Sequence, residues 1–344
     1  MTAEYEQHSH HPVDVVIAWV DGNDPVLARK RERYLDKKDN TSLSSGAHAT
    51  RFASINEIRY CVLSIMKFAP FVRNIFIVTD GQDPGLEEDI LTYFPGRAGS
   101  VRIVDHKEIF RDFEEYLPTF NSISIGNMIW RIKGLSENFV YFNDDTFLIR
   151  PVKKEDWFIN NKPVLRGKWV PFPLPRILWT RLRIAFKRHV QGKKDWQPRA
   201  SFHMGQWNSA YLAAYRLRYF TNSHTPHTVE KQTVAGFFST RQELLRNNIS
   251  YRFRNYKQFT FIALSNHLQL RAGNRQLAPP SLAYLQPFRR AHDYTEKKIR
   301  YCEKNAGIKY LCVQSLDLCE KEKQDQVLNW LKKHLELPDK HDVT

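Results

Sequence analysis

The strongest candidates for catalysis in the sequence are two adjacent carboxylates, Asp144 and Asp145, which follow Asn143. The run before them, residues 139–142, is rich in Val, Tyr and Phe, and such a run predicts a buried strand. Two carboxylates buried without partners would be costly. At the carboxyl end of a strand in an α/β sheet, where ligands bind, a divalent metal and a polyphosphate would satisfy them. The alternative is a solvated turn.

Two histidines and an arginine are the next candidates. His224 and His227 flank Pro226, so a regular helix would not place them on one face. They could be metal ligands, a general base with a helper, or phosphate donors. Arg254 lies in a segment that interleaves basic and aromatic residues. Its guanidinium could bind phosphate through two hydrogen bonds or stack on a neighbouring ring.

The elements that must position these groups alternate between strands and helices. Apolar runs at 15–20, 74–79, 101–104 and 139–142 predict four strands, and helices are predicted after residue 54 and from about 124 to 133. Such alternation indicates a parallel sheet with right-handed crossovers. Each strand ends in an acidic residue, namely Asp21, Asp80, Asp105 or Asp144 with Asp145. We expect these carboxylates to share one sheet edge, although Asp also caps helices and turns.

The composition bounds the class of protein. The 344 residues carry a formal net charge of +15, which fits nucleic acid, an anionic membrane or phosphorylated substrates as partners. The sequence shows no helix-turn-helix, zinc-finger or RNP-like pattern, so we expect no nucleic acid. No apolar run reaches the length of a membrane span, and residues 1–11 are too polar for a signal peptide. We therefore expect a cytoplasmic protein, or the soluble part of a larger one, with four reduced cysteines.

The composition changes after residue 155. Tryptophan, proline and basic residues dominate the next segment, in which residues 176–190 predict a basic amphipathic helix. This helix could contact an anionic membrane surface, pack on its own domain, or form a basic wall for an anionic acceptor. We expect residues 1–155 and 216–295 to form one catalytic domain, with a basic, aromatic-rich insertion at 156–215 and a helical tail at 296–344.

Several longer motifs resemble the Stealth family. They are DVVIAWVDGNDP at 14–25, the segments 55–84 and 120–148, and the later segments 224–237 and 252–261. The resemblance implies a sugar-1-phosphate transferase, as in bacterial capsule synthesis or the animal enzyme that transfers N-acetylglucosamine-1-phosphate. It implies a glycosyltransferase-like α/β fold, Mg²⁺ or Mn²⁺, a nucleotide-sugar donor, usually UDP-linked, and a glycan acceptor. The product would be a phosphodiester, as in capsule or exopolysaccharide.

The resemblance also assigns roles to residues. Asp144 and Asp145 match the family's Asn-Asp-Asp motif and would hold the metal, while His224 and Arg254 match its essential histidine and arginine. The predicted catalytic residues are Asp145, His224 and Arg254. The predicted substrate-binding residues are Asp21, Gly22, Asn23, Asp24, Arg59, Asp80, Gly81, Asn121, Ser122, Asn143 and His227.

The chain departs from the family pattern at two places. Gly126 stands where members often carry an acidic residue, and Ala53-Ser54 stands where Arg-Asp is common. If the missing carboxylate is a base or a metal ligand, activity would be weakened or another residue would take over its role. His224 is expected to act as a general base, and covalent phosphate transfer through His224 is the alternative.

Two other functions remain open. An ordinary glycosyltransferase would transfer the sugar alone and release a nucleoside diphosphate. A non-catalytic protein, its site disabled at Gly126, would use its positive charge to bind polyanions or a membrane. For the enzyme, the expected location is the cytoplasm, with peripheral contact at the inner face of the membrane as a further expectation.

Overall fold

The computed structural model describes residues 11–35 and 55–338. Its strands are β1 Val13–Ala18, β2 Val72–Thr79, β3 Val101–Asp105, β4 Asn138–Asn143, β5 Thr146–Leu148, β6 Phe158–Ile159, β7 Lys162–Pro163, β8 Leu165–Pro171, β9 Arg218–Asn222, β10 His227–Glu230, β11 Leu277–Ala278, β12 Leu282–Leu285 and β13 Tyr310–Val313. Its α-helices are α1 Pro25–Glu32, α2 Glu57–Phe68, α3 Glu87–Tyr93, α4 His106–Ile109, α5 Ser122–Gly126, α6 Leu174–Ala185, α7 Phe202–Leu212, α8 Lys231–Ser239, α9 Gln242–Ile249, α10 Phe261–Arg271, α11 Tyr294–Lys304 and α12 Lys321–His334.

The central sheet has five strands in the order β10-β4-β1-β2-β3. The four strands β1 to β4 run parallel, and β10 joins β4 in the antiparallel direction. The register sets Ala18 at the end of β1 beside Val78 and Asn143. The carboxyl ends of the parallel strands therefore meet at one edge. The predicted α/β fold, with a mostly parallel sheet flanked by helices, is confirmed.

Alternation along the strands divides the core into two layers. On β1, Val15 and Ile17 are buried in one apolar cluster with α2 and α12, whereas Val16 belongs to a second cluster on the opposite face with α8 and α10. Successive side chains of a strand point to opposite faces. Because both faces of the sheet are covered, its strands are continuously apolar rather than alternating, as expected for a parallel sheet.

One predicted helix is wrong in its extent. Instead of a single helix from about 124 to 133, the chain forms the short helix α5 and a separate 3₁₀ turn, Ile129–Arg131. Asn121 caps α5 by accepting a hydrogen bond from the Ile123 amide at 3.0 Å. The Asn127 side chain donates to the Ile123 carbonyl at 2.8 Å, where it ends the helix. Local polar contacts therefore replace the continuous helix that the apolar spacing predicted.

Two smaller three-stranded sheets flank the central one. The first has the order β12-β13-β5, and the second has the order β11-β8-β9. Through β8, the basic segment at 156–215 shares a sheet with the later strands β9 and β11. The division of the chain into domains stays a prediction.

Within the described ranges, no helix is long and apolar enough to cross a membrane. All four cysteines are free thiols, so the structure forms no bridge between Cys312 and Cys319.

A buried carboxylate links three strands of the central sheet near their amino-terminal ends. Asp14 on β1 is fully buried and accepts hydrogen bonds from the Arg73 guanidinium, at 2.9 and 2.5 Å, and from the Ser136 amide at 2.7 Å. It also accepts from the Asn74 amide at 3.2 Å. One side chain therefore links β1, β2 and the segment that leads into β4.

We predict that Asp14→Ala lowers the free energy of unfolding by about 3 kcal/mol, because it leaves buried donors without their acceptor. Urea denaturation followed by circular dichroism would measure the change. The control is Glu296→Ala, which removes an exposed ion pair with Arg300 and should cost less than about 0.5 kcal/mol. Equal costs for the two variants would contradict the assignment.

Candidate active site at the carboxyl edge of the sheet

The Asp144-Asp145 pair lies where the chain passes from one sheet to another. β4 ends at Asn143 in the central sheet, and β5 begins at Thr146, which pairs with Cys312 of β13. The carbonyl of Asp145 accepts a hydrogen bond from the Val313 amide at 2.9 Å. The turn is therefore fixed from both sheets, and its two carboxylates face a large open cavity with about 2430 Å³ of empty space.

The cavity contains two more carboxyl groups. Glu57, at the start of α2, and Asp317, which follows β13, line it together with Asp144 and Asp145. Burial, followed by the charges of Asp144 and Asp145, raises the pKa of Glu57 to about 8. Neither residue was predicted from the sequence as part of the site. Glu57 could have been found as the acidic residue at the start of an otherwise apolar helix, whereas Asp317 gave no signal.

The Asp144 and Asp145 carboxyls share this environment. Burial and the charge of Asp145 raise the pKa of Asp144 to about 7. Burial also raises the pKa of Asp145 to about 6, against hydrogen bonds from Thr146 and Cys312. Clustered carboxyls in a low-dielectric site repel one another when ionised. A bound cation would relieve this repulsion.

The carboxylates fit a metal site in which the protein and the substrate phosphates each supply part of the ligands. Mg²⁺ and Mn²⁺ prefer oxygen ligands, and Mg²⁺ is commonly held by one or two carboxylates together with substrate phosphates. Among residues 11–35 and 55–338, no group of three or more His, Cys, Asp or Glu side chains is arranged to hold a metal ion. Asp144 and Asp145 therefore match the pattern in which phosphates complete the coordination.

His224 lies on the wall of the same cavity, between two aromatic rings. Its ring stacks on Phe202 with centroids 5.2 Å apart and lies at the same distance from Tyr284. Burial lowers the pKa of His224, so the imidazole is neutral at physiological pH and can accept a proton. The two rings fix the plane of the imidazole.

Arg254 reaches the cavity from a loop without regular structure. Its Nε donates to the Ser122 hydroxyl at 3.1 Å, and both residues line the cavity. The loop is anchored by Asn121, whose side-chain amide donates to the Tyr251 carbonyl and to Gln258 Oε1, both at 2.9 Å. Asn121 is fully buried, so it positions the arginine loop rather than facing the cavity.

The carboxylates at the other strand ends form ion pairs or hydrogen bonds with neighbouring protein groups. Asp80 pairs with Lys30 at 2.6 Å, and Asp105 caps α4 by accepting from the Lys107 amide at 2.8 Å. Asp21 accepts from the Asn23 amide at 2.9 Å. Of the four predicted strand ends, the structure places Asp144 and Asp145 on the large cavity and Asp80 on a smaller neighbouring one.

The remaining predicted substrate-binding residues lie at varied positions. Arg59 is held by two hydrogen bonds to Asp89, at 2.5 and 2.9 Å. Asp24 caps α1 and accepts a hydrogen bond from Gln82 at 3.0 Å. Gly22 and Gly81 lie in the turns after β1 and β2, and Asn143 lines the large cavity.

His227 is on β10, opposite Tyr141 of β4. Burial, with the nearby charges of His224 and Arg166, lowers the pKa of His227 to about 3. It therefore stays neutral across the physiological pH range. It neighbours His224 but is not among the residues that line the cavity.

A second, smaller cavity adjoins the first and contains about 610 Å³ of empty space. The two share wall residues at the end of β1, together with Ser122 and Arg254. Within the described residues, Trp19 Nε1, His106 Nδ1 and Thr119 Oγ1 are buried without hydrogen-bond partners, and all three residues line this cavity. A buried polar atom without a partner costs free energy, so a ligand group that reached one of these atoms would be stabilised by a hydrogen bond. None of these three residues was predicted from the sequence as part of the site.

The sequence of the region around these cavities matches a known family. Residues 11–39 match the family model described as Stealth protein CR1, conserved region 1, and residues 51–165 match Stealth protein CR2, conserved region 2. The chain carries both of these Stealth regions. They contain the Asp144-Asp145 turn, α5 and Glu57, and they also cover Ala53 and Ser54, which lie outside the described residues. The Stealth resemblance is confirmed there, and His224 and Arg254 follow these regions.

Two curated relatives each match less than half of the chain. An exopolysaccharide phosphotransferase of Streptomyces coelicolor is 42% identical over 165 residues, which are 48% of this chain and 26% of that protein. A capsular polysaccharide phosphotransferase of Actinobacillus pleuropneumoniae is 39% identical over 149 residues, which are 43% of this chain and 39% of that protein. The match therefore spans less than half the length of either relative.

Among solved structures, the galactosyltransferase LgtC in complex with donor and acceptor sugar analogues has a TM-score of 0.42 at 8% identity, covering 96% of this chain and 99% of that chain. Mouse xyloside xylosyltransferase 1 in its apo form has a TM-score of 0.36 at 11% identity, covering 88% of this chain and 97% of that chain.

The raised pKa of Glu57 makes stability depend on pH. In the metal-free protein the folded state keeps this proton up to a pKa of about 8, whereas the unfolded chain has already lost it. Stability is therefore lost as pH rises through that value, and we predict a fall of about 1 kcal/mol between pH 7 and pH 8.5. Thermal unfolding in the presence of a chelator would measure it.

The Glu57→Gln variant should show a smaller fall over the same range, whereas Glu296→Gln, at an exposed position, should behave like the parent. Mn²⁺ should raise the unfolding temperature more at pH 8.5 than at pH 7, because more of the carboxyls are then ionised. An unfolding temperature that does not fall with pH in the metal-free parent would refute the assignment.

Proposed function

We propose that this protein transfers a sugar-1-phosphate from a UDP-linked nucleotide-sugar to a hydroxyl of a glycan acceptor. The reaction would belong to capsule or exopolysaccharide synthesis. The observation that carries the proposal is one cavity that brings together Asp144, Asp145, His224 and Arg254. The Streptomyces and Actinobacillus relatives, which are named phosphotransferases of such polysaccharides, support it. The acceptor would approach through the large cavity.

The donor would span the two adjoining cavities. The smaller one offers donors and acceptors on Trp19, His106 and Thr119 for the edge of a nucleobase. The diphosphate would then lie near Ser122 and Arg254, which line both cavities. This placement puts the phosphate attached to the sugar beside Asp144 and Asp145, within the larger cavity.

The transfer itself is an in-line displacement at the sugar-linked phosphorus. The acceptor oxygen forms a new P–O bond, the bond to the bridging oxygen breaks, and a nucleoside monophosphate leaves with the electron pair. Such reactions depend on positioning and on electrostatic stabilisation. Arg254 would stabilise the charge on the transferred phosphate, and neutral His224 would take the proton of the attacking hydroxyl.

Asp144 and Asp145 would hold Mg²⁺ or Mn²⁺, which neutralises the charge of the diphosphate and of the leaving group when bound. At Gly126 a side chain would meet open space, since no atom beyond its chain neighbours and the backbone of its own helix lies within 4 Å of the Cβ position. Glu57 lines the same cavity, and we propose it as the carboxyl that takes over from the acidic residue absent at Gly126.

Mass spectrometry of the released nucleotide tests the proposal. The purified chain would be incubated with Mg²⁺ or Mn²⁺, nucleotide-sugars and short capsule-type glycans. We expect nucleoside monophosphate and a glycan heavier by one sugar phosphate. Release of nucleoside diphosphate, with the sugar alone transferred, would instead establish the ordinary glycosyltransferase. A non-catalytic protein would bind nucleotide-sugar or polyanions without turnover.

The Asp145→Asn variant should lose turnover by at least about 1,000-fold, because the diphosphate charge is then poorly neutralised. His224→Ala should lose about 100-fold or more, as expected for removal of a general base. The matched control is Asp83→Asn, whose carboxylate caps an exposed turn at Gly85 outside both cavities. If Asp145→Asn kept the parental rate, the assignment of the metal site would be wrong.

We also propose a cytoplasmic location. The four free thiols in the described structure suit a reducing compartment.

A further inference from the structure

One helix carries a row of large apolar side chains that point to solvent. The apolar face of α6 and the π-helical turn after it consists of residues that are each 50–70% exposed, namely Leu174, Leu178, Trp179, Leu182, Phe186 and Val190. Most of these are spaced by four residues, so they lie along one side of the helix. An amphipathic helix ordinarily buries such a face against its own domain.

The helix is anchored by its other side. Ile177 packs against a small apolar cluster that includes Phe172, Trp207 and Tyr219. The Arg176 guanidinium lies 5.4 Å from the centre of the Trp207 ring. The helix is therefore fixed on the domain with its apolar face outward. Packing of that face on its own domain, the alternative that the sequence left open, is not what the structure shows.

Basic residues border the apolar face on both sides. By helical position, Arg181 and Arg188 follow one border, and Arg176 and Arg183 follow the other. Lys193 and Lys194 come directly after the helix. Asp195 is the single acidic residue of the sequence between Asp156 and Glu230. An exposed apolar stripe between two rows of arginine is the pattern of a helix that lies in a membrane interface.

We propose that the apolar face of α6 docks this protein on an anionic lipid bilayer. The helix lies in the plane of the interface, its leucine and aromatic side chains enter the boundary between headgroups and acyl chains, and the exposed Arg181 and Arg183 contact lipid phosphates. A second copy of the chain is a poorer occupant, because its own arginine rows would face these and repel them.

Vesicle co-sedimentation tests this proposal without any assay of activity. The full chain would be mixed with phosphatidylcholine vesicles that contain either no anionic lipid or about 30% phosphatidylglycerol. We expect binding to the anionic vesicles at least about tenfold tighter than to neutral ones, and weaker in high salt. The triple variant Leu178→Ser, Leu182→Ser, Phe186→Ser should bind them at least about tenfold more weakly.

The matched control replaces three exposed apolar residues elsewhere, Leu91, Ile103 and Leu277, by Ser, and it should bind within about twofold of the parent. Because every replaced side chain is at least 40% exposed, both variants should keep the parental circular dichroism spectrum. A second variant, Arg181→Gln with Arg183→Gln, should weaken binding to anionic vesicles and leave weak binding to neutral ones unchanged.

Three results would each overturn the proposal. The first is a parent protein that ignores anionic vesicles, and the second is a triple Ser variant that binds as tightly as the parent. The third is sedimentation velocity showing a dimer of the parent that the triple Ser variant dissolves, since the apolar face would then be an interface between copies.

Discussion

The candidate site depends on the passage of the chain from the central sheet to the second sheet within two residues. β4 ends just before Asp144, and β5 begins just after Asp145. The carbonyl of Asp145 accepts a hydrogen bond from β13, which holds the turn in place. Helix α2 also holds the strand that follows the turn, since the Ser64 hydroxyl accepts from the Leu148 amide at the end of β5 at 3.1 Å. The turn therefore keeps both carboxylates on the cavity that Glu57 and Asp317 also line, and a bound cation would reduce the repulsion between them.

Polar contacts position the other half of the site. Gln258 is fully buried and donates to the Asn248 carbonyl at 2.7 Å, while its Oε1 accepts from Asn121 and from the Asn255 amide. This network joins α5, α9 and the loop that carries Arg254. A loop without regular structure becomes rigid when its backbone groups are paired in this way. Arg254 therefore needs no helix or strand to reach the cavity in one orientation.

The sequence predicted what depends on local pattern. Continuous apolar runs identified the parallel strands, and the position of Asp144 and Asp145 after β4 placed them at the sheet edge. The sequence did not predict the features that depend on contacts between distant segments. Asp317 lies between two leucines and reaches the cavity only because β13 pairs with β5. Neither Asp80 nor Lys30 indicates in the sequence that the two residues form an ion pair. We therefore expected all the acidic strand ends to share one site, whereas the structure pairs Asp80 with Lys30.

The outward apolar face of α6 and the large cavity are connected through the chain itself. Residues 199–202 follow the basic segment after α6 and line the cavity, and Phe202 stacks on His224. The chain therefore leads from the proposed membrane contact to one of the two rings beside the proposed general base. If α6 lies in a bilayer interface, a glycan acceptor carried on the same membrane would meet the protein at high effective concentration, because both would share one surface.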